Sequence, residues 1–169
     1  GAVTTAGYNT AVGSSALLLN TAGNNTAVGN QAMAANTTGN VNIAVGDEAL
    51  TANTTGAGNL AIGYRSLYVN TTASHNTGIG YTSLSANTTG AWNVAVGSSS
   101  LDANTTGTEN TALGGATLGA NTTGSYNTAL GAGALELNST ADLNVAVGRQ
   151  ALTTNTTGAS NVAVGVYAL

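Results

Sequence analysis

Few side chains in this chain could do chemistry, and they recur in fixed places. His75 is the only histidine, and there is no cysteine. A Ser–His or Cys–His nucleophile pair therefore has one possible base and no thiol. Counted within a seventeen-residue unit that begins at an Asn, His75 falls at position 17, in a turn. That slot reads as a surface residue rather than a catalytic base. Glu136 and Asp142 sit at variable, outward slots and read as solvated carboxylates. Gly78-Ile79-Gly80 lacks the third glycine and the strand-to-helix context of a dinucleotide loop. Gly114-Gly115 lacks the lysine of a phosphate loop, and the Asp spacing of calcium-binding nonapeptide repeats is missing. An enzyme, a metal site and a bound cofactor are all unexpected.

Two sets of residues remain. Successive units place His75, Trp92, Glu109 and Tyr126 at position 17. On stacked rungs they would form a strip of aromatic and polar tips suited to sugar or protein contact. The bland reading is a loop that tolerates bulk. Asn24, Asn36, Asn53, Asn70, Asn87, Asn104, Asn121, Asn138 and Asn155 lie in Asn-X-Ser/Thr sequons. In a secreted protein these could carry glycans. The simpler reading is that Asn-Thr-Thr-Gly is turn chemistry, because the Asn at position 1 recurs as faithfully without being a sequon.

The unit that positions these residues starts at Asn9, Asn25, Asn42, Asn59, Asn76, Asn93, Asn110, Asn127, Asn144 and Asn161. Every step is seventeen except the first, which is sixteen, and the missing residue falls beside Gly23-Asn24. Position 3 is Ala, or Gly at Gly78. Position 4 is Val, Ile or Leu, position 5 is Gly, position 9 is Leu or Met33, and position 12 is Asn. All nine ionisable side chains, Trp92 and all six tyrosines fall at positions 6, 7, 10, 16 or 17. Two glycines and several Asn and Thr per unit leave no stable helical window.

This pattern predicts an all-β fold, a parallel β-solenoid or β-roll of ten rungs running 1–169 as a single repeat array. Two short strands per rung are expected, at positions 1 to 5 and roughly 7 to 10. Position 4 never admits a polar group and is expected to face the interior with position 9. Position 3, restricted to Ala or Gly, is expected to meet another chain closely. Stacked Asn at positions 1 and 12 should form amide ladders. Glu48 and Arg65 should pair, and Tyr64 and Tyr81 should stack. Gly1 aligns with position 10, and Val3 stands where position 12 wants Asn, so the two ends are in register for continuation into a fibre.

The composition narrows the function class. Charged residues are 5% of the chain, against roughly 25% in typical proteins. Arg65 and Arg149 are the only Lys or Arg residues and the net charge is −4, which disfavours nucleic acid. No apolar run approaches the ~20 residues of a membrane helix. Two dependable apolar groups per rung make a thin core, so burial between parallel copies, as a homotrimer or other bundle, is the expected remedy.

The segments Asn93-Val94-Ala95-Val96-Gly97, Asn144-Val145-Ala146-Val147-Gly148 and Asn161-Val162-Ala163-Val164-Gly165 resemble the head repeats of YadA-like trimeric autotransporter adhesins. The longer unit with its Asn-Thr-Thr-Gly turn also looks like repeats of phage-type tail fibres and bacterial surface fibres. The resemblance implies a left-handed parallel β-roll, three chains per head, an extracellular or cell-surface location, and adhesion to matrix or surfaces. The leading expectation is a structural rod or filament segment of such a fibre. An adhesin head binding glycans or matrix proteins is the alternative. Ice binding through Thr at positions 13 and 14 ranks below both, because those residues fall in a turn.

Overall fold

The computed structural model describes residues 7–169. The alignment of Gly1 and Val3 lies outside these described residues. Positions 2 to 4 of each unit form a three-residue strand: β1 (Thr10–Val12), β2 (Thr26–Val28), β3 (Ile43–Val45), β4 (Leu60–Ile62), β5 (Thr77–Ile79), β6 (Val94–Val96), β7 (Thr111–Leu113), β8 (Thr128–Leu130), β9 (Val145–Val147) and β10 (Val162–Val164). They make one parallel sheet whose spatial order is the sequence order. Each pairing sets like position on like position, as in Ala44↔Ala61 and Val45↔Ile62. The fold is a β-solenoid. The sixteen-residue first step keeps this register, with Thr10 opposite Thr26, because the missing residue is absorbed in the turn around Gly23.

The facing of the strand reverses one expectation. Ala27, Ala44, Ala61, Ala95, Ala112, Ala129 and Ala146 are fully buried. Position 4 lies on the outer side of the sheet: Val12, Ile62, Leu113, Leu130 and Val164 are exposed, and the others are half-buried. The small residue at position 3 therefore meets the opposite wall of its own chain and not a neighbouring chain. That wall is the position-9 column, with Met33, Leu50, Leu67, Leu84, Leu101, Leu118 and Leu135 fully buried. Between them little more than a methyl group fits. At Gly78 even that is excluded, since a Cβ would stand 2.6 Å from Ser66 Oγ. Ser66 Oγ and Ser83 Oγ lie 2.9 Å apart there, and Ser66 donates to Gly78 O at 2.9 Å.

The second expected strand, at positions 7 to 10, is a ribbon of turns. Position 9 is left-handed throughout, as at Leu50 (φ 53°) and Leu67 (φ 53°), and position 7 likewise, as at Glu48 (φ 55°) and Arg65 (φ 52°). Alternating handedness breaks the pleat. Bonds within a rung, such as Asn53 N–H to Leu50 O at 3.3 Å, alternate with bonds between rungs, such as Leu50 N–H to Ser66 O at 2.9 Å. A left-handed L-residue costs about 1–2 kcal/mol. Here the N–H of such a residue bonds to a neighbouring rung, as Glu48 does to Asn30 O at 2.9 Å and Leu50 to Ser66 O at 2.9 Å.

Two asparagine ladders close the rung at its edges. At position 1, each Oδ1 accepts the backbone N–H of the Asn one rung on, as Asn42 does from Asn59 at 2.9 Å. Its Nδ2 donates across the turn, as in Asn42 to Gly56 O at 2.8 Å. At position 12, amides bond directly: Asn53 Nδ2 donates to Asn36 Oδ1 at 2.7 Å and to Gly56 O at 3.0 Å. The two columns converge on one carbonyl at position 15, tying strand to turn. Buried amides are as a rule bonded in this way, and among the described residues Asn144 Nδ2 is the one buried side-chain nitrogen or oxygen without a partner.

Candidate functional site

Column 17 is assembled as a strip. His75, Trp92, Glu109 and Tyr126 are all exposed and occupy successive rungs. The imidazole of His75 and the indole of Trp92 are stacked, with centroids 4.1 Å apart and planes 19° from parallel. Left-handed backbone at each position holds the side chains clear of the turn (φ 61°, 62°, 55° and 60°). The backbone is fixed by its N–H groups, with Trp92 donating to Ser74 O at 3.3 Å and Tyr126 to Thr108 O at 3.0 Å. On the rung before His75 the column holds Gly58, where a Cβ would lie 2.8 Å from His75 Nδ1. Glycine there leaves the imidazole room to settle against the turn.

A second aromatic cluster lies on columns 6, 7 and 10. Tyr64 and Tyr81 stack as expected, with centroids 5.4 Å apart. The Arg65 guanidinium lies 5.1 Å from the Tyr64 ring and 4.9 Å from that of Tyr68. Its Nε donates to Glu48 Oε2, and this bond holds the guanidinium pKa above its ordinary value. Among the described residues this is the one ion pair between side chains. Arg149 instead donates to Tyr167 Oη at 2.8 Å and covers that ring.

The remaining candidate residues are accounted for locally. Asp142 accepts the Ser125 N–H at 2.7 Å, which anchors a turn. Glu136 borders a shallow notch beside Gly115, Gly133 and Arg149. Among the described residues no three His, Asp or Glu side chains come together. The sequon residues Asn36, Asn53, Asn70, Asn87, Asn104, Asn121 and Asn138 are fully buried, with both Nδ2 hydrogens donated. Asn155 is half-buried and donates in the same two directions. In the folded chain these amides are ladder rungs, and a glycan on any one would displace two hydrogen bonds. Thr37, Thr54, Thr88 and Thr105 at position 13 spend their hydroxyls on carbonyls one rung away. Position 14 is left as a single exposed Thr column, narrower than a flat two-column array.

The sequence reading missed a surface altogether. Columns 2 and 4 share the outer side of the sheet. Column 2 runs Thr10, Thr26, Ile43, Leu60, Thr77, Val94, Thr111, Thr128, Val145 and Val162, and column 4 is wholly Val, Ile or Leu. No charged residue interrupts either column. At parallel-sheet spacing the face is about 43 Å long. A position 4 that is always aliphatic beside a position 2 that is Thr or aliphatic, around a position 3 kept small, was the available signal. No family model, curated protein or solved structure matches this chain.

Proposed function

We propose that this chain is a structural rod segment of an extracellular or cell-surface fibre, assembled with parallel copies of itself. The observation that carries the reading is the outer face of the sheet, an unbroken aliphatic and threonine surface that spans all ten strands. Monomers rarely expose contiguous apolar patches beyond a few hundred Å². Parallel copies in register would set each column-4 side chain against its own counterpart along the whole length, and three copies around one axis would each cover this face. A neighbour laid here also adds burial to a solenoid whose interior is only Ala and Leu thick. The resemblance to adhesin-head repeats supports the same arrangement. Rod duty calls for no reacting group, in keeping with the scatter of the carboxylates and His75.

Sedimentation equilibrium tests the proposal. The expected result is a discrete oligomer that falls to monomer on Val96→Asp with Leu113→Asp. These side chains lie outside the core, so far-ultraviolet dichroism of the double variant is expected to retain the strand signal. A wild-type chain that is folded and monomeric at tens of micromolar would overturn the proposal.

A further inference from the structure

Column 17 sets an indole, a carboxylate and a phenol on three consecutive rungs. Trp92 and Tyr126 are 59% and 52% exposed, and Glu109 stands on the rung between them. Two rungs at parallel-sheet spacing separate the two aromatic side chains by about 9–10 Å along the rod. One face of Trp92 is taken by His75, stacked at 4.1 Å. The opposite face is turned away from His75, on the side of the rungs that carry Glu109 and Tyr126. A cation beside the Glu109 rung would stand about 5 Å along the rod from each aromatic rung, within the ~6 Å reach of a cation–π contact and at the level of the carboxylate.

The chain already gathers two aromatic rings and a carboxylate around a cation once, there with both rings on the rung of the cation and the carboxylate on the rung before. Arg65 lies about equally far from Tyr64 and Tyr68, at 5.1 and 4.9 Å, while bonded to Glu48. Column 17 has the same kinds of group and no lysine or arginine. The protein's two arginines are committed elsewhere, Arg65 to that cluster and Arg149 to Tyr167. Glu109 makes no ion pair with any described residue. A lysine or arginine for this strip must come from another molecule, and the net charge of −4 favours its approach. A neutral sugar could stack on the rings but would leave the carboxylate without a charge partner.

We propose that Trp92, Glu109 and Tyr126 form a clamp for a basic side chain, Lys or Arg, carried by a partner polypeptide. This goes beyond the rod reading and does not rest on it. The clamp needs only three adjacent rungs, and sedimentation of the same samples keeps any change of assembly separate from binding.

Trp92 is the only tryptophan, so its emission reports the site. The probe is a blocked Gly-Lys-Gly-Lys-Gly peptide, run beside its Nε-acetyl-lysine counterpart and a neutral cello-oligosaccharide. The lysine peptide is expected to change the emission saturably, and the acetylated peptide to leave it unchanged. Tyr126→Ala should weaken binding at least about threefold and Glu109→Gln about tenfold. Glu136→Gln, on another column, should stay within about twofold because exposed charges are screened over such a distance. Equal binding of the acetylated peptide would overturn the clamp. So would equal weakening by Glu136→Gln, which would indicate diffuse attraction. No emission change at millimolar peptide, or a change with the oligosaccharide alone, would also reject it.

Discussion

Asn76 Oδ1 accepts the backbone N–H of Asn93 at 2.9 Å. That bond makes each rung the template for the next. The N–H it satisfies belongs to the residue just before the strand, where the sheet ladder has not yet begun. Because Asn76 also donates to Gly90 O at 2.8 Å, one buried side chain fixes both the height of the next rung and the closure of its own turn.

Asn87→Ala removes donation to Asn70 Oδ1 at 3.0 Å and Gly90 O at 2.9 Å, and it takes away one of the two acceptors of Asn104 Nδ2, which donates to Asn87 Oδ1 at 2.8 Å and to Gly107 O at 3.1 Å. Unsatisfied buried groups cost about 1–3 kcal/mol each. A loss of roughly 3 kcal/mol is expected in urea unfolding. Asn155→Ala, in a half-buried rung near the end, should cost about 1 kcal/mol.

Gly97→Ala should be among the most damaging single changes. The added Cβ would stand 2.3 Å from Gly114 O, a backbone atom, and φ is +139°. Neither rung can yield without breaking register with its other neighbour. A loss above about 3 kcal/mol is expected, visible as a large drop in thermal midpoint.

Val41→Gly should stabilise the chain. Val41 is β-branched, exposed and left-handed at φ 57°, and the next rung already carries Gly58 at φ +67° in the same column. Relief of the left-handed strain outweighs the extra backbone freedom of glycine, for a net gain of about 0.5–1 kcal/mol. Thermal unfolding of the two proteins checks the sign.

Asp102 should make stability fall as pH rises. Burial raises its pKa, against hydrogen bonds from its own N–H and that of Ala103, which lower it. The folded state therefore holds the proton more tightly than the unfolded one. That contribution is fully present below the ordinary carboxylate range and is lost as pH climbs through the raised value. Asp102→Asn is expected to match the wild type near pH 3 and to melt higher at pH 7.

Much of this was legible in the letters. A seventeen-residue period with Asn, Gly and Leu in fixed places has one economical solution, like over like, and it yielded the parallel register, the Asn36–Asn53 ladder, the Glu48–Arg65 pair and the Tyr64–Tyr81 stack. These are relations between equivalent positions on adjacent rungs, and periodicity encodes them directly. The stacking of His75 on Trp92 follows from the same rule.

What the period could not decide was the sign of the strand. Alternation says that Ala44 and Val45 point opposite ways, and the persistent apolar character of position 4 argues for burying Val45. The tertiary structure buries Ala44, because Leu50 fills the space opposite and the amide bridges hold the walls too close for a larger side chain. It likewise turns Leu50 left-handed, since only that geometry lets its N–H reach Ser66 O while the chain curves back. Repetition determined which residues are neighbours. The width of the closed rung decided which of them are inside, and so placed the aliphatic face on the outside of the solenoid.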